Sequence, residues 1–199
     1  MALVDNNDSQ FFEENIMVIR MIRLASMAIF LLGVAAVTHA QPPAHLFFDQ
    51  LTSLCGNRYV GEMTFPEEGQ DSFAGKELVA DFKKCDQQQV LVPFSVGEDH
   101  SRTWVFTKTD EGIRLKHDHR HADGSPDDVT NYGGDSNGAG GAFNQFFAAD
   151  SFTQKLIPAA STNIWSVSIS EDKQQLTYHL TRHQQPRFTA VLHKQPIKP

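Results

Sequence analysis

The chain has 199 residues and a formal net charge of −7, from 17 Lys and Arg against 24 Asp and Glu. The basic residues are scattered along it, which argues against nucleic acid or an anionic membrane surface as the partner. Its length from Gln41 onward is ordinary for one domain and sufficient for a real core.

Residues 1–40 read as a targeting segment. Arg20 and Arg23 flank an uncharged stretch from Leu24 to Val37, and Thr38-His39-Ala40 then places small residues where a signal peptidase cleaves. The apolar stretch is shorter than the roughly twenty residues of a comfortable membrane span. Cleavage after Ala40 and a periplasmic or secreted location are therefore expected, with no stable membrane insertion afterwards; an uncleaved anchor is the rival reading. The acidic run from Met1 to Asn15 is unusual ahead of a signal and points to Met17 or Met21 as initiator.

After Pro42-Pro43, the spacing of Leu46, Phe47, Gln50, Leu51 and Leu54 predicts a short helix over Ala44–Leu54, ending near Gly56. Period-2 alternation follows in Arg58–Phe65 and again in Lys76–Lys84, where Leu78, Ala80 and Phe82 align. A hairpin of these two, with Phe65 near Lys76, brings Cys55 beside Cys85. In an oxidising compartment this lone pair is expected to form one structural disulfide.

Further strands are predicted at Val90–Val96, Arg102–Thr109, Ile113–His119, Asn163–Ser170, Gln175–Arg182 and Arg187–Lys194. Pro93 marks the first of these as an edge, bulge or bend. Between them Arg120–Gly141, rich in glycine and aspartate, is expected to be a functional or disordered loop, and the aromatic Phe143–Phe152 to seal the core or a mouth. The expectation is one all-β domain over 41–199, an antiparallel up-and-down barrel of about eight strands with a short N-terminal helix.

This layout, with Leu54-Cys55-Gly56-Asn57-Arg58-Tyr59-Val60-Gly61 at its entry and Arg182 or Arg187 near the closing strands, resembles the calycin-like barrels, the lipocalin and fatty-acid-binding group. Where the lipocalin signature has Gly-x-Trp, this chain has Gly56-Asn57-Arg58, with Tyr59 the nearest aromatic. The resemblance implies an internal cavity for a small, mostly apolar ligand.

Chemistry concentrates in Lys116-His117-Asp118-His119-Arg120-His121-Ala122-Asp123-Gly124. Strand parity places His117 and His119 with Ile113 and Leu115, facing inward. Two imidazoles at i, i+2 can converge on a transition metal, with His121 and Asp123 as further candidate ligands and His179 or Asp135 as donors from elsewhere. A polar ligand-binding or structural network is the alternative use of the same histidines. The oxygen-rich run from Asp123 to Asn137 also suits calcium chemically, but departs from the EF-hand spacing. By parity Arg102 lies with Trp104 and Phe106, and Arg182 with Leu180 and Tyr178, both inward and suited to a carboxylate. Arg187 falls outward. No serine sits in a Gly-x-Ser-x-Gly elbow, and no catalytic set is assigned.

The favoured reading is a noncatalytic exported protein that binds a small molecule through Arg102, His117, His119, Tyr178 and Arg182. The alternatives are a metal-dependent hydrolase or lyase using His117 and His119, and an interaction protein with no pocket.

Overall fold

The first element of the computed structural model, which describes residues 41–66 and 72–196, is helix α1 (Pro43–Ser53). The expected signal segment, its cleavage site and the initiator choice lie outside the described residues. Proline at the first helical turn forfeits no intrahelical bond, and its fixed φ suits the helix start. Past the helix, Gly56 takes a left-handed φ of +84°, which lets the chain reverse while its N–H donates to the Phe82 carbonyl at 2.7 Å. The buried face of α1 carries Phe47, Phe48 and Leu51, each worth about 1.5–3 kcal/mol of transfer free energy.

The strands are β1 (Arg58–Phe65), β2 (Leu78–Asp81), β3 (Lys84–Cys85), β4 (Gln89–Val96), β5 (Asp99–Thr109) and β6 (Gly112–His119). They continue as β7 (Tyr132–Ser136), β8 (Asn144–Ala149), β9 (Ile164–Ile169), β10 (Gln175–Arg182) and β11 (Gln185–Lys194). A second helix, α2 (Ser151–Leu156), follows β8, with Asp150 as its N-cap accepting from the Thr153 N–H. Successive strands pair antiparallel, and β1 also pairs with β11, so the sheet closes on itself. β2 and β3 both pair with β4 and form one interrupted stave, which makes a ten-strand ring. An even number lets a simple meander close with every neighbour antiparallel. A closed antiparallel barrel preceded by a short helix is consistent with a generic calycin-like fold.

Ten strands replace the eight expected, because two lie in segments that read as loop and seal. β7 sits inside the Gly/Asp-rich stretch. There glycine serves close strand approach rather than a turn: a Cβ on Gly133, at φ +147°, would lie 2.1 Å from the Leu115 carbonyl oxygen. β8 is the front of the aromatic segment, with Phe147 fully buried.

Pro93 lies in a strand paired on both sides, not at an edge. β3 covers Val90 and Leu91, β2 covers Phe94 to Val96, and Val92 and Pro93 face the gap between them. The missing N–H therefore costs the ladder nothing. The hairpin pairs Gly61 with Leu78, two residues from the expected register. A slip of two preserves which face each side chain occupies.

Cys55 and Cys85 are bonded, with Cα atoms 6.1 Å apart. The bond ties the end of α1 to β3 across 30 residues. On the loop-entropy account, Cys55→Ser with Cys85→Ser should cost about 3–4 kcal/mol. Urea unfolding with and without reductant checks this: wild type should lose that much on reduction and the double variant nothing.

One end of the barrel is stopped by α1, which packs against β5, β6 and β8, with His45 Nε2 2.9 Å from the Thr109 carbonyl oxygen. The interior is filled rather than hollow. Val90, Val92, Phe106, Leu115, Phe147 and Leu176 are fully buried, and Trp104 packs 4.4 Å from the Phe94 ring and 4.6 Å from that of Tyr178. Where the resemblance implies an internal chamber, these side chains pack against one another in a single core cluster. Clefts occur at both ends, one beside α1 around Thr109–Arg114 with Asp135 and Ser136, and one at the opposite end that is walled mainly by aromatic side chains. Among the described residues no helix is long and apolar enough to cross a membrane.

Candidate functional site at the open mouth

The open end is lined by side chains from the start of β7, from β9, β10 and β11, and from the segments at 72–73 and 157–163. They surround a cavity of about 300 Å³, bounded by Phe73, Tyr132, Ile157, Ala160, Trp165, Tyr178, Leu180 and Phe188, with Asn163, Arg182, Arg187 and Ser72 as its polar members. That volume is at the small end for ligand pockets.

His117 and Tyr178 form the inner support of this site. His117 is only 4 % exposed. Its Nδ1 lies 3.1 Å from the Tyr132 carbonyl oxygen and its Nε2 lies 2.7 Å from Tyr178 Oη. A carbonyl can only accept, so Nδ1 carries the proton and Nε2 accepts from the Tyr178 hydroxyl. Burial holds His117 neutral, pushing it down to about 3, with His119 and Lys116 adding to the depression against the opposing pull of the Tyr132 carbonyl. Burial likewise pushes Tyr178 well above the usual phenol range, helped by Tyr132. Both ring nitrogens of His117 are thus committed, and Tyr178 spends its proton inward.

His119 lies one pleat further out, directly across from Arg102 in the β5–β6 ladder. Its Nε2 is 3.0 Å from Tyr132 Oη, and burial followed by the Arg102 charge lowers its pKa. Burial pushes Tyr132 up to about 12. Tyr132 therefore joins the two histidines, stacking on the His117 ring at 4.8 Å and bonding to His119.

Arg102 is inward as expected but not free. Its Nη1 donates to Asp99 Oδ2 at 2.6 Å, and its guanidinium lies 5.2 Å from the centre of the Phe73 ring. Burial acts to raise Asp99, but Ser101 and Arg102 outweigh it and leave the carboxyl at about 2. Arg182 reaches the cavity wall with Nε donating to Asn163 Oδ1 at 2.9 Å. Arg187, which parity puts outside, lines the same cavity. The ladder pairs Leu180 with Phe188 and then Thr181 with Pro186, so Arg187 is the extra residue of a bulge, and bulges turn a side chain off its alternation.

The tentative metal set is not brought together. His121 and Asp123 are exposed in the turn beyond β6, where the Asp123 carboxylate accepts from the Ser125 N–H and hydroxyl. His179 points away from Tyr178 and bonds Thr189 at 2.6 Å, while Asp135 pairs with Arg114 at 2.7 Å. Among the described residues no group of three His, Cys, Asp or Glu side chains is placed to hold an ion. The oxygen-rich loop uses its carboxylates in the same local way, Asp127 accepting from the Val129 N–H at 2.8 Å.

Of the expected ligand residues, Tyr178 and Arg182 line the cavity, His117 and His119 back its tyrosines, and Arg102 stands beside Phe73. Sequence reasoning missed Tyr132, Asn163, Phe188 and the inward turn of Arg187. The signal for Tyr132 was an aromatic residue alone in a turn-forming segment. No family model, no curated protein and no solved structure matches the chain.

Proposed function

We propose that the protein is an exported, noncatalytic binding protein for a small molecule with an apolar body and a carboxylate, held at the open mouth of the barrel. One observation carries this reading: the cavity lining contains two arginines and no acidic residue, although the chain as a whole is acidic. Arg182 and Arg187 form no ion pair among the described residues, unlike Arg102, which is matched by Asp99. A guanidinium fork and a carboxylate fit each other geometrically. The aromatic wall would desolvate the ligand body, and the arginines would fix its orientation.

Calorimetric titration with hexanoate, benzoate and 2-naphthoate, and with the corresponding amides, tests this. At least one acid should bind roughly tenfold tighter than its amide, the worth of about 1.4 kcal/mol. Arg182→Gln with Arg187→Gln should remove that preference while leaving amide binding in place. Acids and amides bound alike by wild type would sink the carboxylate reading.

A further inference from the structure

The filled interior and the ring-lined mouth together restrict the shape of what can bind. This inference rests on the mouth cavity being the ligand site. Below the cavity, Tyr178, Trp104 and Phe94 pack in contact, Phe106 and Phe147 lie 6.0 Å apart, and α1 stops the opposite end. No acyl chain can descend along the barrel axis without displacing these rings. A ligand of this site must therefore fit within its roughly 300 Å³.

The walls of that space are unusual for an alkyl group. Five of the lining residues, Phe73, Tyr132, Trp165, Tyr178 and Phe188, are aromatic. They already meet in the edge and tilted geometries that aromatic pairs favour: Phe73 stands edge-on to Phe188 at 5.4 Å and 85°, Tyr178 to Phe188 at 6.0 Å and 63°, and Tyr132 is tilted against Trp165 at 6.0 Å. Tyr178 offers no hydroxyl proton to a ligand, because that proton goes to His117. The donors that remain in the lining are the guanidiniums of Arg182 and Arg187 together with neutral groups such as the Asn163 amide.

We infer that the mouth selects a compact planar aromatic carboxylate of one or two fused rings, inserted edge- or face-on among Tyr132, Trp165, Tyr178 and Phe188, and that it discriminates against long-chain fatty acids. The ring replaces water over surfaces whose quadrupoles already prefer aromatic neighbours, and the carboxylate stays at the arginine rim.

The test compares 2-naphthoate with octanoate, decanoate and dodecanoate by calorimetry on the purified protein. Binding of 2-naphthoate at least tenfold tighter than decanoate, with no gain from octanoate to dodecanoate, is the expected result. Leu180→Trp, which fills the cavity from a partly exposed position, should abolish 2-naphthoate binding without lowering the melting temperature; a lowered melting temperature is resolved with Ile157→Phe, which fills the same cavity from another partly exposed lining position. Fatty acids that bind as tightly as 2-naphthoate, with affinity rising with chain length, overturn the inference but leave a mouth ligand standing. 2-Naphthoate that binds equally well to the cavity-filled variants overturns it too. If no acid of any shape binds, the mouth reading fails with it.

Discussion

Trp104→Ala will lower the unfolding free energy by about 3–5 kcal/mol, the range for truncating a large ring in a packed core. Trp104 is 2 % exposed and packs against both Phe94 and Tyr178, whose rings are themselves 6.4 Å apart. Deleting its indole removes the transfer energy of the ring and leaves a void that the ring of strands cannot collapse around, because β-closure fixes the circumference. In a domain of this size each kcal/mol shifts the melting point by about 2–4 °C, so the change is large on a thermal scan. Urea titration of wild type, Trp104→Phe and Trp104→Ala measures it. Trp104→Phe should fall between the other two. A loss below about 1.5 kcal/mol for the alanine variant would mean that this ring cluster is loosely packed, and the shape restriction on the ligand would go with it.

Acid will destabilise the protein through His117. Unfolded, the imidazole takes up a proton near pH 6.5; folded, burial keeps it neutral down to about 3. Between those values the unfolded state binds more protons, so stability rises with pH. The contribution is fully present above pH 6.5 and drains away as pH falls toward 3, reaching on the order of 5 kcal/mol in full. By pH 4.5 about 2–3 kcal/mol of it should be gone. Other groups titrate over the same range, His119 among them, so the diagnostic is a difference between proteins. His117→Phe starts less stable, having left Tyr178 without its acceptor, but should lose about 2–3 kcal/mol less than wild type between pH 7.5 and 4.5. Parallel losses in the two proteins would show that His117 is not held neutral by the fold.

The staves of the barrel were legible where one face is wet and the other packed. β6 alternates from Ile113 onward and β10 from Gln175 to Tyr178, and Cys55 and Cys85 fell together because a slip of two residues in the hairpin keeps the same faces. β7 was hidden for a physical reason. Its glycines carry no side chain to alternate, and their role is to let three backbones approach, which a composition rule reads as a turn. The mouth was legible only in part for a similar reason. Arg182 and Tyr178 followed parity, whereas Arg187 escaped it through a bulge whose position depends on pairing across strands. The histidines were correctly placed inside, but parity cannot tell convergence on an ion from hydrogen bonding to Tyr178 and Tyr132. That distinction depends on partners far away in sequence, at residues 132 and 178.

The seam of the ring lies between the strand that begins the barrel and the one that ends it, with Tyr59 opposite Lys194. A nascent chain therefore carries two raw sheet edges until Gln185–Lys194 has been made, and the loop-closure entropy of the whole domain falls due at one late step. Any fragment that stops short of that strand presents edges able to recruit a second chain. Closure of the ring is consequently a late event, possible only once its last strand has been made.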